Sequence, residues 1–121
     1  MLKMPYQKLI IWQKSRILVK KIYELTATFP KAEQYGLVAQ MRRAAISVPS
    51  NVAEGSQKNT NRDFLSFLAI AKGSLAELET QVILSGDLKL ATEEKLNPIL
   101  ELIHQIQKML RAFCETLTTT H

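Results

Sequence analysis

The sequence predicts an all-α fold: an antiparallel up-down-up-down four-helix bundle, assembling as a homo-oligomer. Three observations point there. Apolar residues recur at three- and four-residue spacing along most of the chain, without the sustained alternation a half-buried strand needs. Four glycines and four prolines in 121 residues are too few turn signals for many short strands. The resulting helical stretches are long and joined by short links, which sets consecutive helices side by side.

The first stretch runs over about 6–28. Ile11, Leu18, Ile22, Leu25 and Phe29 mark its inner face, with Trp12, Val19 and Tyr23 beside them, and Pro30 stops it. The second covers about 32–55, with Leu37, Met41, Ala44, Val48 and Val52 on one face and Gly55 as a stop. The third, about 60–86, opens on Thr60 with Asp63 three residues later, a pair resembling a capping box. Phe64, Leu68, Ala71, Leu75, Leu78 and Val82 then form a heptad seam. Leu65, Ala69, Ala76 and Ile83 make a second apolar row, and Gly86-Asp87 ends the helix. The fourth, about 92–117, repeats Leu96, Ile99, Ile103, Ile106, Leu110, Phe113 and Leu117. Its start has two readings: Thr92 with Glu93 and Glu94 behind it, or Asn97-Pro98 as cap and first turn. Helices of this length are roughly 35 Å long.

These stretches fit one domain over 1–121, large enough to bury a core without staples. The terminal TLTTTH reads as a fraying end. Cys114 is the one cysteine, so no intrachain disulfide forms, and it reads as a small apolar residue on a packed face. No signal peptide and no membrane span is visible, which gives the expectation of a cytoplasmic protein with no membrane partner. Ile10 and Ile17 project away from the first helix's inner face. With the third helix's second apolar row, they point to self-association.

The net charge of +5 is unevenly placed. Lys3, Lys8, Lys14, Arg16, Lys20, Lys21 and Lys31 fall within the first 31 residues against Glu24 alone, while acids slightly outnumber bases in the remainder. A basic helix of this kind suits an acidic partner, RNA or DNA first. Lys8, Lys14, Arg16, Lys20 and Lys21 are the candidate contacts. The aromatic residues are few and mostly at core spacing, which gives base stacking little support.

The second helix carries RRAAISVPSNVAEG, with Pro49 in its middle. Gln40, Arg43, Ser47, Asn51 and Glu54 fall in one arc of roughly 80° beside the apolar face, with Ser50 at its edge. Amides and hydroxyls there suit a partly buried polar network against the third helix or a neighbouring subunit. Pro49 leaves the Ala45 carbonyl without its helical donor. On the third helix, Gly73 would permit close backbone approach, and Glu77 could pair with Arg42 or Arg43. Gln40, Arg42, Arg43, Ser47, Asn51, Glu54, Gly73 and Glu77 are thus candidates for fixing assembly.

The segments LIIWQKS, IYELTATFP, EQYGLVAQMRRAAISVPSNVAEG, FLSFLAIAKGSLAELETQV and QKMLRAF occur in that order over roughly residues 5–113. Together they resemble the four-helix bundle proteins encoded in intervening sequences of bacterial 23S ribosomal RNA genes. The matching positions are Tyr35, Gly36, Gln40, Arg42, Arg43, Ser47, Pro49, Asn51, Glu54, Gly55, Gly73, Ser74 and Glu77. The resemblance implies an up-down bundle assembling into a homopentamer with a central channel. Its fold is similar to that of the accessory proteins of diversity-generating retroelements, basic pentamers that bind nucleic acid and a reverse transcriptase. It implies no catalytic residue.

Two functions follow as expectations. One is a non-enzymatic oligomer that binds structured RNA or other nucleic acid through the basic first helix. The other is a protein-interaction scaffold, for example an accessory to a reverse transcriptase or the ribosome, with Ile10 and Ile17 in its contact surface. Enzyme chemistry has no support: there is no metal-ligand spacing, phosphate-binding glycine loop or nucleophile motif, and no cofactor is implied. His104 reads as a surface residue, His121 lies at the end of the chain, and Glu77 and Glu79 face different directions.

Overall fold

The computed structural model describes residues 5–119; Lys3 and His121 lie outside the described residues. Among the described residues the fold is all-α. Its four long helices are α1 (Ile10–Thr26), α2 (Ala39–Ser56), α3 (Asn61–Asp87) and α4 (Glu93–Thr119). Each packs on the next, and α1 also packs on α4, so the four surround one core. The periodic positions fill it: Leu18 and Ile22 from α1, Met41, Val48 and Val52 from α2, Leu68, Leu75 and Leu78 from α3, and Ile103, Ile106 and Leu110 from α4. The seam is less tightly closed at Phe64 and Phe113, both half-buried, whose rings meet edge-on at 5.5 Å.

The first helix starts later than its periodicity implies. Tyr6–Lys8 forms a separate 3₁₀ turn, and Leu9 is extended (φ −72°, ψ 126°), so the α-helix begins at Ile10. The Gln13 side chain donates to the Gln7 carbonyl at 2.9 Å and ties the turn to the helix. The second helix also starts late. Lys31–Glu33 is a 3₁₀ turn and Gln34–Val38 a π-helical turn, neither with a side-chain cap, before regular α-helix begins at Ala39. Apolar spacing does not tell these tighter and wider turns from an α-helix over so few residues.

Pro49 sits inside α2 without ending it. Thr60 caps α3 as expected, its hydroxyl accepting from the Asp63 N–H at 3.1 Å. The open choice at α4 resolves in favour of Thr92: its carbonyl accepts from the N–H groups of Lys95 and Leu96 at 3.0 Å, and Pro98 lies within the helix. Of the TLTTTH end, expected to fray, residues 116–119 are helical, and residues 120 and 121 lie outside the described residues. α4 continues to Thr119, with the Thr118 and Thr119 hydroxyls donating to the carbonyls of Cys114 and Glu115.

The α3–α4 link carries a local strain. The Leu90 N–H donates to the Ser85 carbonyl at 2.8 Å and the Lys89 N–H to that of Gly86 at 2.9 Å, a Schellman-type end. Its left-handed residue is Lys89 (φ 59°), where glycine is the usual occupant. Lys89→Gly removes a Cβ penalty of about 1–2 kcal/mol. It adds unfolded-state entropy worth about 0.5–1 kcal/mol. The expected result in urea unfolding is a net gain of up to about 1 kcal/mol.

Candidate nucleic-acid interface

Of the five candidate cations, Lys8 lies on the short turn before α1 and the other four on α1 itself. Lys14 is half-buried; Lys8, Arg16, Lys20 and Lys21 are exposed. Successive residues on a helix turn by about 100°, so Arg16 and Lys20 point one way and Lys14 and Lys21 another. The structure therefore splits the basic set in two. Arg16 and Lys20 border α2. Lys21 borders α4, in a hollow it shares with Glu94, Lys95 and Pro98. Between the two sets lie Ile10 and Ile17, 58% and 49% exposed, as their position off the inner face implies. Glu24 lies on this surface, and Glu94 of α4 borders it beside Lys21.

The α1–α2 border is a groove of about 610 Å³. Trp12, Arg16, Val19, Lys20 and Tyr23 form its α1 wall; Ile46, Pro49, Ser50 and Ala53 form the wall on α2; Tyr6 closes one end. Tyr6 meets Trp12 edge-on at 5.4 Å. The Arg16 guanidinium lies 5.5 Å from the Trp12 ring centre, and that of Arg42 lies 4.3 Å from the Tyr23 ring centre. Trp12, half-buried against the core, and Tyr23, 38% exposed, stand at helical spacing and both line the groove.

The polar stripe of α2 does not form one network. Its joined part is Ser47, whose hydroxyl accepts from the Ser74 hydroxyl at 2.8 Å and the Asn51 amide at 3.0 Å. Asn51 also donates to the Ser47 carbonyl at 2.8 Å, and the Ser47–Ser74 bond links α2 to α3. Arg42 turns the other way, to α1, where it donates to the Thr26 hydroxyl at 3.0 Å. Gln40, Arg43 and Glu54 are exposed. The expected pairing of Glu77 with Arg42 or Arg43 is not made: Glu77 accepts from Gln81 at 3.3 Å, on its own helix.

The two glycines exchange roles. Gly73 is exposed, and a Cβ there would meet nothing within 4 Å, so it permits no close approach within the chain. Gly55, expected only to stop α2, is buried within that helix. A Cβ there would come within 2.7 Å of Phe67 Cβ and 2.8 Å of Phe64 Cδ1. The close α2–α3 approach is made there.

Glu79 links α3 to α4, accepting from Gln107 at 3.1 Å and lying 2.7 Å from His104 Nε2. The Gln107 hydrogen bond, then that of His104, holds its carboxyl below the ordinary 4.5, against the opposing effect of burial. A carboxyl whose folded pKa is lowered contributes stability above its unfolded pKa and loses it as pH falls through the folded one. Thermal melts of the wild type and Glu79→Gln should therefore differ near neutral pH and converge as pH falls through and below the ordinary carboxylate range. Burial pushes the Cys114 thiol up, away from the thiolate form. Among the described residues, no group of three or more His, Cys, Asp or Glu could hold a metal ion, and no helix is long and apolar enough to cross a membrane.

Residues 7–112 match the family model of the 23S rRNA-intervening sequence protein. The chain belongs to the 23S rRNA-intervening sequence protein family. A solved protein of unknown function from the S23 ribosomal protein family of Bacteroides thetaiotaomicron is similar in fold. Its TM-score is 0.79 at 22% identity, over 87% of this chain and 98% of that one. No curated protein matches this chain. Membership agrees with the resemblance carried by RRAAISVPSNVAEG, and that segment supplies Ser47, Pro49, Ser50, Asn51 and Gly55 to the contacts described above.

Proposed function

We propose that this family member is a non-enzymatic, nucleic-acid-binding oligomer that holds structured RNA on the outer face of α1. The observation that carries this is the grouping of Arg16, Lys20 and Lys21, all exposed, around Ile17, in a hollow whose lining carboxylate is Glu24. Cations so placed meet phosphates spaced along a backbone with little sequence readout. Contacts between successive helix ends support an antiparallel up-down-up-down bundle forming one domain. Thr26 at the end of α1 meets Arg42 near the start of α2, and Gly86 near the end of α3 faces Leu96 in α4. The exposed Ala69, Ala76 and Ile83 of α3 support self-association, expected as a homopentamer in the cytoplasm. Five copies, each at +5, would multiply the attraction for RNA. The test is salt-dependent RNA binding by the wild type and by a variant with Lys14, Arg16, Lys20 and Lys21 changed to Gln. Unchanged affinity and salt dependence would sink the proposal.

A second reading, a scaffold for a protein such as a reverse transcriptase or a ribosomal protein, is favoured by one observation: Ile10 and Ile17 are large, apolar and exposed in the middle of the same face. It predicts that Ile10→Ser with Ile17→Ser abolishes capture of a partner protein while RNA affinity stays as in the wild type.

A further inference from the structure

The groove between α1 and α2 combines features that the basic face alone does not need. Resting on the RNA-binding reading above, we infer that this groove receives an unpaired nucleotide, its base against Trp12 and Tyr23 and its phosphate at Arg16 and Lys20. Four observations carry this. The groove offers aromatic surface to solvent in a protein with few aromatic residues. Its two charged lining residues are both cations, one helical turn apart, and no carboxylate lines it. Arg16 stands 5.5 Å from the centre of the Trp12 ring, so stacking surface and phosphate ligand lie within one nucleotide's reach. The volume of about 610 Å³ falls in the range of sites that take small organic ligands.

The α2 wall adds the rest. Pro49 contributes an apolar ring without an N–H, and the exposed Ser50 hydroxyl beside it can donate to or accept from a base edge. A base within an A-form duplex has both faces covered and its major-groove edge out of reach. The groove therefore selects bulged, looped or single-stranded nucleotides, while the remaining cations of α1 hold paired backbone. A second copy of this chain fits less well, since an apolar contact from a neighbour would bury Arg16 and Lys20 without supplying their counter-charge.

Trp12 is the one tryptophan in the chain, so its fluorescence reports on the groove. The full-length protein is titrated with an RNA hairpin carrying a single-adenosine bulge, and with the same hairpin fully paired. The bulged hairpin should quench Trp12 and bind more tightly; the paired one should bind without quenching. By anisotropy of labelled RNA, Trp12→Ala should lose roughly 5- to 100-fold in affinity for the bulged hairpin and nothing for the paired one, with Trp12→Phe largely restoring it. Should Trp12→Ala fail to fold, Ser50→Phe, which fills the groove from an exposed position of α2, should remove the same preference. Equal binding of both hairpins, without quenching and unchanged in these variants, overturns the inference and leaves the basic-face reading standing. No binding of either hairpin overturns both. A change in oligomer mass in Ser50→Phe, with RNA preference intact, gives the groove to a neighbouring subunit and overturns the inference alone.

Discussion

Gly55→Ala should destabilise the fold, and Gly73→Ala should stabilise it, although both glycines lie inside helices. On an exposed helical position, Ala is better than Gly by about 1 kcal/mol, through backbone entropy. Gly73 meets that condition, with open space where its Cβ would be. At Gly55 the same methyl group arrives 2.7 Å from Phe67 Cβ, an atom fixed to the α3 backbone. No rotamer change relieves that contact, so α2 and α3 must move apart where they pack most extensively. Overpacking of this kind costs about 1–3 kcal/mol, more than the propensity gain over most of that range. The two substitutions should differ by roughly 1–3 kcal/mol in urea unfolding, with melting temperatures on either side of the wild type. Gly55→Leu, which cannot fit beside Phe64 and Phe67, should leave little folded protein. A loss of stability in Gly73→Ala, with a fall in oligomer mass, would place Gly73 against a neighbouring subunit.

That pair of glycines shows where the sequence was legible and where it was not. The four helices and their inner faces were readable because heptad spacing directly encodes which side is buried: Leu18, Leu75, Ile103 and most of their row-mates lie in the core, with Phe64, Phe113 and Leu117 half-buried against it. Helix starts were less readable, because Leu9 and the Gln34–Val38 turn break α-helical geometry without breaking apolar spacing. A glycine's role depends on what faces it from another helix, and Gly55 meets Phe64 and Phe67 only through the α2–α3 crossing. Arg42 illustrates the same limit: a pairing with Glu77 would have turned it to α3, but the end of α1 offered a hydroxyl and an aromatic face together. Trp12, Tyr23, Pro49 and Ser50 share a groove between two helices, which spacing along either one does not record. The signal available was the offset of Trp12 and Tyr23 from the inner face of α1, next to Arg16 and Lys20.

Neutralising Lys14, Arg16, Lys20 and Lys21 together should almost abolish the salt dependence of RNA binding. If each cation displaces one phosphate counterion, four contacts correspond to a slope of about −3.6 in log K against log salt, on the duplex-DNA scale. Raising salt from 50 to 200 mM should then weaken the wild type by roughly 150-fold and the four-Gln variant by little. An oligomer presenting several α1 faces to one RNA steepens the wild-type slope further. Net charge alone would also predict some loss, because the change removes four positive charges from a chain at +5. The control separates charge from position. Arg62, Lys72, Lys108 and Arg111 are exposed, on α3 and α4. Changing those four to Gln gives the same net charge and leaves the α1 face intact. If α1 is the contact surface, the control keeps most of the wild-type slope. Equal flattening in both variants would mean that RNA responds to total charge, and the α1 face would lose its claim to be a site.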